Sequence, residues 1–139
     1  MKKISLIILT TLFYFNTNAQ KIELKKDKIL IDNKEVFSYK KSNRNTEFSI
    51  FKLNTNEELI FVVEFENETI GYRQDDYYKI NFVGLKLKIE STNIQSSWKN
   101  LIKWFYENNL FDLDGNLNKE KIEYFIDKYN ENITERTRR

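Results

Sequence analysis

The chain has 139 residues, with 23 basic and 21 acidic side chains, and it contains neither histidine nor cysteine. Without these two residue types it cannot assemble the usual zinc, copper and non-haem iron sites or a Ser-His-Asp or Cys-His nucleophile system. It can form no disulfide and carry no acylated cysteine. We therefore expect no catalytic residues, no metal ligands and no cofactor.

The N-terminus has the layout of a cleavable secretory signal peptide. Lys2 and Lys3 precede an apolar run at residues 4–15, and a short polar stretch ends at Ala19. The apolar run is too short to span a bilayer. We expect residues 1–19 to be removed, leaving residues 20–139 as a single domain without a membrane span, either periplasmic or secreted.

The charge balance bears on partners. Lys2 and Lys3 account for the whole formal net charge of +2, so the remaining chain carries equal numbers of acidic and basic residues. Nucleic-acid affinity comes largely from clustered Lys and Arg. The sequence therefore predicts no nucleic-acid binding, and the expected partner is an unknown protein or small molecule in the cell envelope, with the oligomeric state open.

From Ile22 to Glu90 the apolar residues alternate with period two, which indicates strands. The pattern predicts a hairpin of 28–31 and 35–41 that turns at 32–34 with Asn33 at positive φ, and further strands at 47–53 and 58–66. Over 77–90 the alternation shifts by one residue at Gly84. We interpret this shift as a β-bulge in one long bent strand, with a tight hairpin at Gly84 as the alternative.

Beyond Ile94 the apolar spacing becomes that of amphipathic helices. The first helix is predicted over 93–109, with Thr92 and Gln95 as a capping box, and Asn118 is the predicted N-cap of the second. The predicted buried stripe of the first helix consists of Ile94, Trp98, Leu101, Ile102 and Phe105. Residues 134–139 form a predicted frayed tail. The fold class is therefore α+β: an antiparallel sheet of about five to six strands, followed by a C-terminal αα-hairpin packed on one face.

An acidic segment at 64–76 is the preferred binding surface, because loops on a rigid sheet commonly carry binding residues. A solvated loop is the alternative. The carboxylates of the 64–76 segment could also perform acid–base chemistry. That chemistry requires two carboxylates at a fixed separation, one of them with a raised pKa. The candidate binding residues are Glu66, Glu68, Tyr72, Arg73, Asp75 and Asp76.

A second acidic segment, 112–118, places Asp112, Asp114, Asn116 and Asn118 at ligand positions of an EF-hand calcium loop. The sixth position of such a loop requires glycine, and here it is Leu117. We therefore interpret the segment as an interhelical turn without a metal.

Aromatic side chains that lie off the predicted core faces are free to reach solvent, and scattered exposed rings of this kind are normal in proteins. Exposed rings can seat a sugar or a protein partner. The rings concerned are Trp104, Tyr106, Tyr72, Tyr77 and Tyr124.

Three stretches carry a resemblance to a known group of proteins. The signal ending Asn18-Ala19-Gln20, the hairpin at 26–36 and the terminal helix at 120–129 resemble small, uncharacterised exported proteins of Bacteroidetes. The resemblance implies export and assigns no site residue.

The sequence leaves three functional hypotheses. The first is an exported, non-enzymatic interaction module of unknown partner, favoured by the missing nucleophile and metal ligands. The second is a carrier that holds a small apolar ligand between sheet and helices. The third is a carboxylate-based hydrolase that uses acids of the 64–76 segment.

Overall fold

The computed structural model describes residues 20–66 and 76–136. Their strands form one antiparallel sheet of seven strands, in which each strand pairs with the next along the chain. A C-terminal helical region follows, so the fold is α+β as predicted. The elements are β1 (Ile22–Lys25), β2 (Lys28–Ile31), β3 (Lys34–Lys41), β4 (Glu47–Lys52), β5 (Glu58–Phe65), β6 (Tyr77–Phe82), β7 (Leu87–Ser91), α1 (Trp98–Glu107), α2 (Lys119–Tyr129) and α3 (Ile133–Arg136).

Two-residue turns join the first three strands. Asp32 and Asn33 have φ of 50° and 67°, so the predicted positive φ of Asn33 is confirmed. Lys26 and Asp27 form a second such turn, with φ of 49° and 60°. Turns with two positive φ angles match the twist of paired strands and favour Asn or Gly. Lys26-Asp27 lacks that signal, so β1 was not predicted and the strand count of five to six was too low.

The predicted single bent strand over 77–90 is wrong, and the alternative hairpin is right. A 3₁₀ turn at Val83–Leu85 reverses the chain, and Lys86 takes the left-handed conformation with φ 56°. β6 and β7 then pair antiparallel, with Phe82 opposite Leu87. The one-residue shift in the apolar pattern therefore reflects a reversal of the chain.

The core lies between the inner face of the sheet and α1. Trp98 stacks on Phe48 with the ring centroids 5.0 Å apart, and Phe105 contacts Phe82. Leu101 and Ile102, on the same helix, are fully buried. Burying this apolar surface is the main favourable term in folding. Fully buried residues of the sheet include Ile29, Ile31, Phe37, Phe48, Ile50, Ile60, Val62, Ile80 and Phe82.

The helix boundaries agree with the predictions only in part. α1 begins at Trp98, and its N-cap is Ser97, whose Oγ accepts a hydrogen bond from the Asn100 N–H at 3.2 Å. The predicted capping box at Thr92 and Gln95 is wrong, because both lie in the segment before α1. Asn118 caps α2 as predicted, accepting from the Lys121 N–H at 3.1 Å.

Trp104 does not reach solvent, contrary to the prediction. It is 8% exposed, and its ring packs against α2. The Trp104 ring centroid is 4.6 Å from that of Phe125 and 5.0 Å from that of Tyr129. The apolar face of α1 is wider than the predicted stripe because α2 covers a second side of it. Tyr124, by contrast, is 67% exposed as expected.

The segment after α2 covers the edge of β7. The Glu90 N–H donates to Asn130 Oδ1 at 3.0 Å, and the Glu131 N–H donates to the Glu90 carbonyl at 2.8 Å. The predicted frayed tail is instead α3 as far as Arg136, and the Glu90 carboxylate accepts from the Thr134 N–H and hydroxyl. The C-terminal segment therefore supplies partners for an otherwise unpaired strand edge.

Candidate functional site

A polar cleft of about 180 Å³ opens at one end of the sheet. The β3–β4 loop, the end of β5, the start of β6 and the segment before α1 meet there. Loops that a rigid scaffold positions are common places for binding residues. The lining residues are Arg44, Asn45, Glu64, Glu66, Tyr78, Gln95, Ser96, Ser97 and Trp98.

Two buried aromatic side chains form the wall of the cleft and tie it to the loops. The Trp98 indole N–H donates to Asn45 Oδ1 at 2.8 Å, and the Tyr78 hydroxyl donates to the Gln95 carbonyl at 3.1 Å. Trp98 is 6% exposed and Tyr78 is 1% exposed. Both polar atoms therefore have partners, as buried donors require.

The β3–β4 loop holds Asn45 in place for this contact. Asn45 has φ 58°, a conformation that asparagine tolerates better than most residues. Its N–H donates to the Ser42 carbonyl at 3.0 Å, and the Ser42 hydroxyl accepts from the Glu47 N–H at 3.1 Å. The Glu64 N–H donates to the Thr46 carbonyl at 2.8 Å, which joins the loop to β5.

The electrostatics of the cleft combine both signs. Burial raises the pKa of Tyr78 and the Glu64 carboxylate raises it further, while the hydrogen bond to Gln95 opposes them only in part. Tyr78 therefore stays a neutral hydrogen-bond donor at physiological pH. Glu64, near the end of β5, and Glu66, just beyond it, contribute two carboxylates, and Arg44 on the β3–β4 loop adds a positive charge.

Of the six predicted site residues, the structure describes Glu66 and Asp76. Glu66 is exposed and lines the cleft. Asp76 is 8% exposed and lies just before the pair Phe65 and Tyr77, outside the cleft lining. The other four candidates, which lie outside the described residues, are Glu68, Tyr72, Arg73 and Asp75.

Sequence reasoning did not find most of the cleft. Asn45 and Trp98 are separated by 53 positions, and only the folded chain brings them together. The one available signal was the polar loop at 42–46, which the sequence shows without indicating what it contacts. Trp98 is a core residue, as predicted. Its indole N–H, however, also forms part of the cleft wall, where it donates to Asn45.

The 112–118 segment is a turn held by its own side chains. Asp112 Oδ1 accepts from the N–H groups of Asp114 and Asn116, each at 2.9 Å. Hydrogen bonds from the Asn116 side chain and N–H lower the pKa of Asp112. Gly115 has φ 79°, and a Cβ there would lie 3.0 Å from the Val36 carbonyl oxygen. Among the described residues no group of three or more acidic side chains is placed to hold a metal ion.

No protein-family model, no curated protein and no solved structure matches the chain. No helix within residues 20–66 and 76–136 has the length and apolar character needed to cross a membrane.

Proposed function

We propose that this protein is an exported, non-enzymatic binding module that engages a protein partner of the cell envelope at the polar cleft. The observation that carries the proposal is the convergence of separate chain segments on one recess, tied together by the Trp98–Asn45 and Tyr78–Gln95 hydrogen bonds. Because these walls are already ordered, binding a partner group there loses little conformational entropy.

The charges at the rim support a protein partner. Arg44 and Glu66 are both exposed and have opposite signs. Charges of both signs around a recess favour a partner with the complementary arrangement and disfavour others, which gives specificity more than affinity. This mixed rim does not suit a uniformly charged polymer such as a nucleic acid.

The two other hypotheses have less support. A carrier needs a cavity of about 300 Å³ or more to bury a ligand, and the space between the sheet and α1 is filled by Leu101, Ile102 and Phe105, which are fully buried. A carboxylate hydrolase needs two acids that face a common cleft. Glu64 and Glu66 of the 64–76 segment both line the cleft and Asp76 does not, but Glu66 is exposed to water, whereas a catalytic acid needs surroundings that shield it from water.

The test is site-specific photo-crosslinking in the native cell. A photoreactive residue replaces Ser96, which is exposed at the rim, and a second protein carries the same residue at Lys103, which is exposed on α1 outside the cleft lining. We expect an adduct of discrete mass from position 96 and not from position 103. Arg44→Glu and Glu66→Lys should each reduce the yield at position 96 at least about fivefold, since each reverses a rim charge.

A matched control separates the cleft from general surface charge. Lys103 and Glu107 form an exposed ion pair at 3.7 Å on α1. Exchanging them as Lys103→Glu with Glu107→Lys changes two surface charges and should leave the adduct at position 96 intact. Equal crosslinking from positions 96 and 103, or an adduct that survives both rim reversals, would overturn the proposal.

A further inference from the structure

Among the residues that the structure describes, strand β1 has an edge without backbone partners. The Asp32 N–H donates to the Lys21 carbonyl at 2.9 Å, and β1 continues in the same register to the pair Lys25 and Lys28. In an antiparallel ladder the peptide groups of alternate residues point to opposite sides. The peptide groups of Ile22 and Leu24 therefore point away from β2. Across residues 20–66 and 76–136 no hydrogen bond reaches them.

The opposite edge of the sheet is treated differently. On β7 the outward peptide group of Glu90 has both of its partners, Asn130 Oδ1 and the Glu131 N–H. An unpaired strand edge is a template for pairing with another strand. Within the described part of the sheet, the open edge is therefore that of β1.

The side chains of β1 are complementary to a second copy of β1. Lys21, Glu23 and Lys25 alternate with the inward-facing Ile22 and Leu24. If two β1 strands pair antiparallel about a two-fold axis at Leu24, each Glu23 lies opposite Lys25 of the partner subunit.

Other registers agree less well with the structure. Pairing centred on Glu23 would set each Glu23 against Glu23 of the partner subunit, and like charges directly opposite each other are destabilising. Pairing centred on Ile22 sets Lys21 opposite Glu23 of the partner subunit, but Ile22 is only 2% exposed. Leu24 is partly exposed, so a second strand can approach more readily there.

We propose that β1 is a self-association edge through which two copies of this chain pair antiparallel, with the two-fold axis at Leu24. The pairing joins the two sheets into one and is isologous, as a two-fold interface must be. It lies on different strands from the polar cleft. Self-association can therefore fail while partner binding holds, and the reverse.

The test is sedimentation equilibrium of the purified protein from micromolar to millimolar concentration. We expect a reversible monomer–dimer equilibrium. Glu23→Lys and Lys25→Glu should each weaken dimerisation at least about tenfold, because by symmetry each turns two attractive contacts into two repulsive ones. The double variant Glu23→Lys with Lys25→Glu should restore it. A monomer at every concentration, or a dimer that both single reversals leave unchanged, would overturn the proposal.

A second variant tests the backbone contribution. Leu24→Pro removes the outward N–H without removing a hydrogen bond to β2, and edge strands tolerate proline at such a position. This variant should unfold cooperatively and sediment as a monomer. Glu23→Pro is the control, because its N–H belongs to the β1–β2 ladder and its loss should destabilise the monomer itself. A folded Leu24→Pro protein that still dimerises like the parent would contradict the proposed pairing.

Discussion

The two edges of the sheet differ in how their backbone groups are satisfied. At β7 the Glu90 peptide group is bonded to Asn130 and Glu131, and the Glu90 carboxylate accepts from Thr134 and pairs with Lys79 at 3.3 Å. At β1 the comparable peptide group of Leu24 is left for a partner. The C-terminal segment therefore covers one strand edge and, within the described residues, leaves the other available for pairing.

The covered edge also supports the polar cleft. The Glu131 carboxylate accepts hydrogen bonds from the N–H and hydroxyl of Thr92, the residue that follows β7. Three residues further along the chain, the Gln95 carbonyl accepts a hydrogen bond from the Tyr78 hydroxyl in the cleft wall. The covered edge and the candidate site therefore share one short connection. Changes at β7 should reach the cleft, whereas changes at β1 should not.

Uncovering β7 should give the largest effect on stability. Asn130→Ala removes the acceptor for the Glu90 N–H, and Glu131→Pro removes the donor to the Glu90 carbonyl. Asn130 has φ −74° and ψ 125°, which are compatible with a following proline. We expect the double variant to lose about 3 kcal/mol of unfolding free energy in urea, because backbone groups lose partners and the Thr92 contacts are lost as well.

The control for that variant is Asp127→Ala, an exposed position in the last turn of α2. It should change the free energy of unfolding by less than about 0.5 kcal/mol. The double variant should also associate through the uncovered β7 edge, seen as a concentration-dependent mass that persists when Leu24→Pro is added. If the double variant keeps the parent stability, the covering contacts contribute little and the contrast between the edges fails.

Removing the Glu90 carboxylate should have the next largest effect. Its side chain is 18% exposed and accepts from the Thr134 N–H at 2.6 Å. Hydrogen bonds to a charged group are worth about 1.5–3 kcal/mol, so Glu90→Ala should lower the unfolding free energy by about 2 kcal/mol. Glu90→Gln retains an acceptor and should lose about half as much. Equal losses in the two variants would show that the whole contribution depends on the charge, whereas no loss in Glu90→Gln would show that the charge is unimportant.

Acidification should weaken the same edge. Burial alone would raise the pKa of Glu90, but hydrogen bonds from Thr134 and the charge of Lys79 outweigh it and lower that pKa. For Glu131, burial is likewise outweighed by hydrogen bonds from Thr92 and Ser91, so its pKa is also lowered. A carboxylate whose folded-state pKa is depressed stabilises the fold above its unfolded-state pKa and loses that contribution as the pH falls.

We therefore expect the stability contribution of these two groups to be constant from neutral pH to about pH 5 and to fall below about pH 4.3, the ordinary pKa of glutamate. Urea unfolding at a series of pH values measures this. The parent protein should lose more stability over that interval than Glu90→Gln, which has no carboxylate at that position to protonate. Parallel curves for the two proteins would contradict the assignment.

The features that could be predicted from the sequence depend on neighbouring residues. The turn at Asn33 and the cap at Asn118 follow from the local chemistry of asparagine, and the continuous apolar run of β5 is that of a strand inside a sheet. The α+β order follows from the change of apolar period near Ile94. Each of these signals lies within a few residues of the structure it predicts.

The features that could not be predicted depend on distant residues. Trp104 is buried because α2 folds back over it, and the Asn45–Trp98 hydrogen bond joins residues 53 positions apart. Of the two predicted site residues that the structure describes, Glu66 lines the cleft and Asp76 does not. Charged residues near a loop are visible in a sequence, but the element that faces them is decided by tertiary packing.

The smallest expected effect on monomer stability is at β1. Glu23 and Lys21 form an ion pair at 3.1 Å with side chains 33% and 61% exposed, and such pairs contribute little. Glu23→Ala should change the unfolding free energy of the dilute monomer by less than about 0.5 kcal/mol. The same substitution should weaken dimerisation severalfold, because it removes the contact with Lys25 of the partner subunit. Sedimentation and urea unfolding of one preparation compare the two effects. A variant that loses stability as Glu90→Ala does, yet still dimerises normally, would mean that β1 serves the fold of its own subunit and that the two edges do not differ in function.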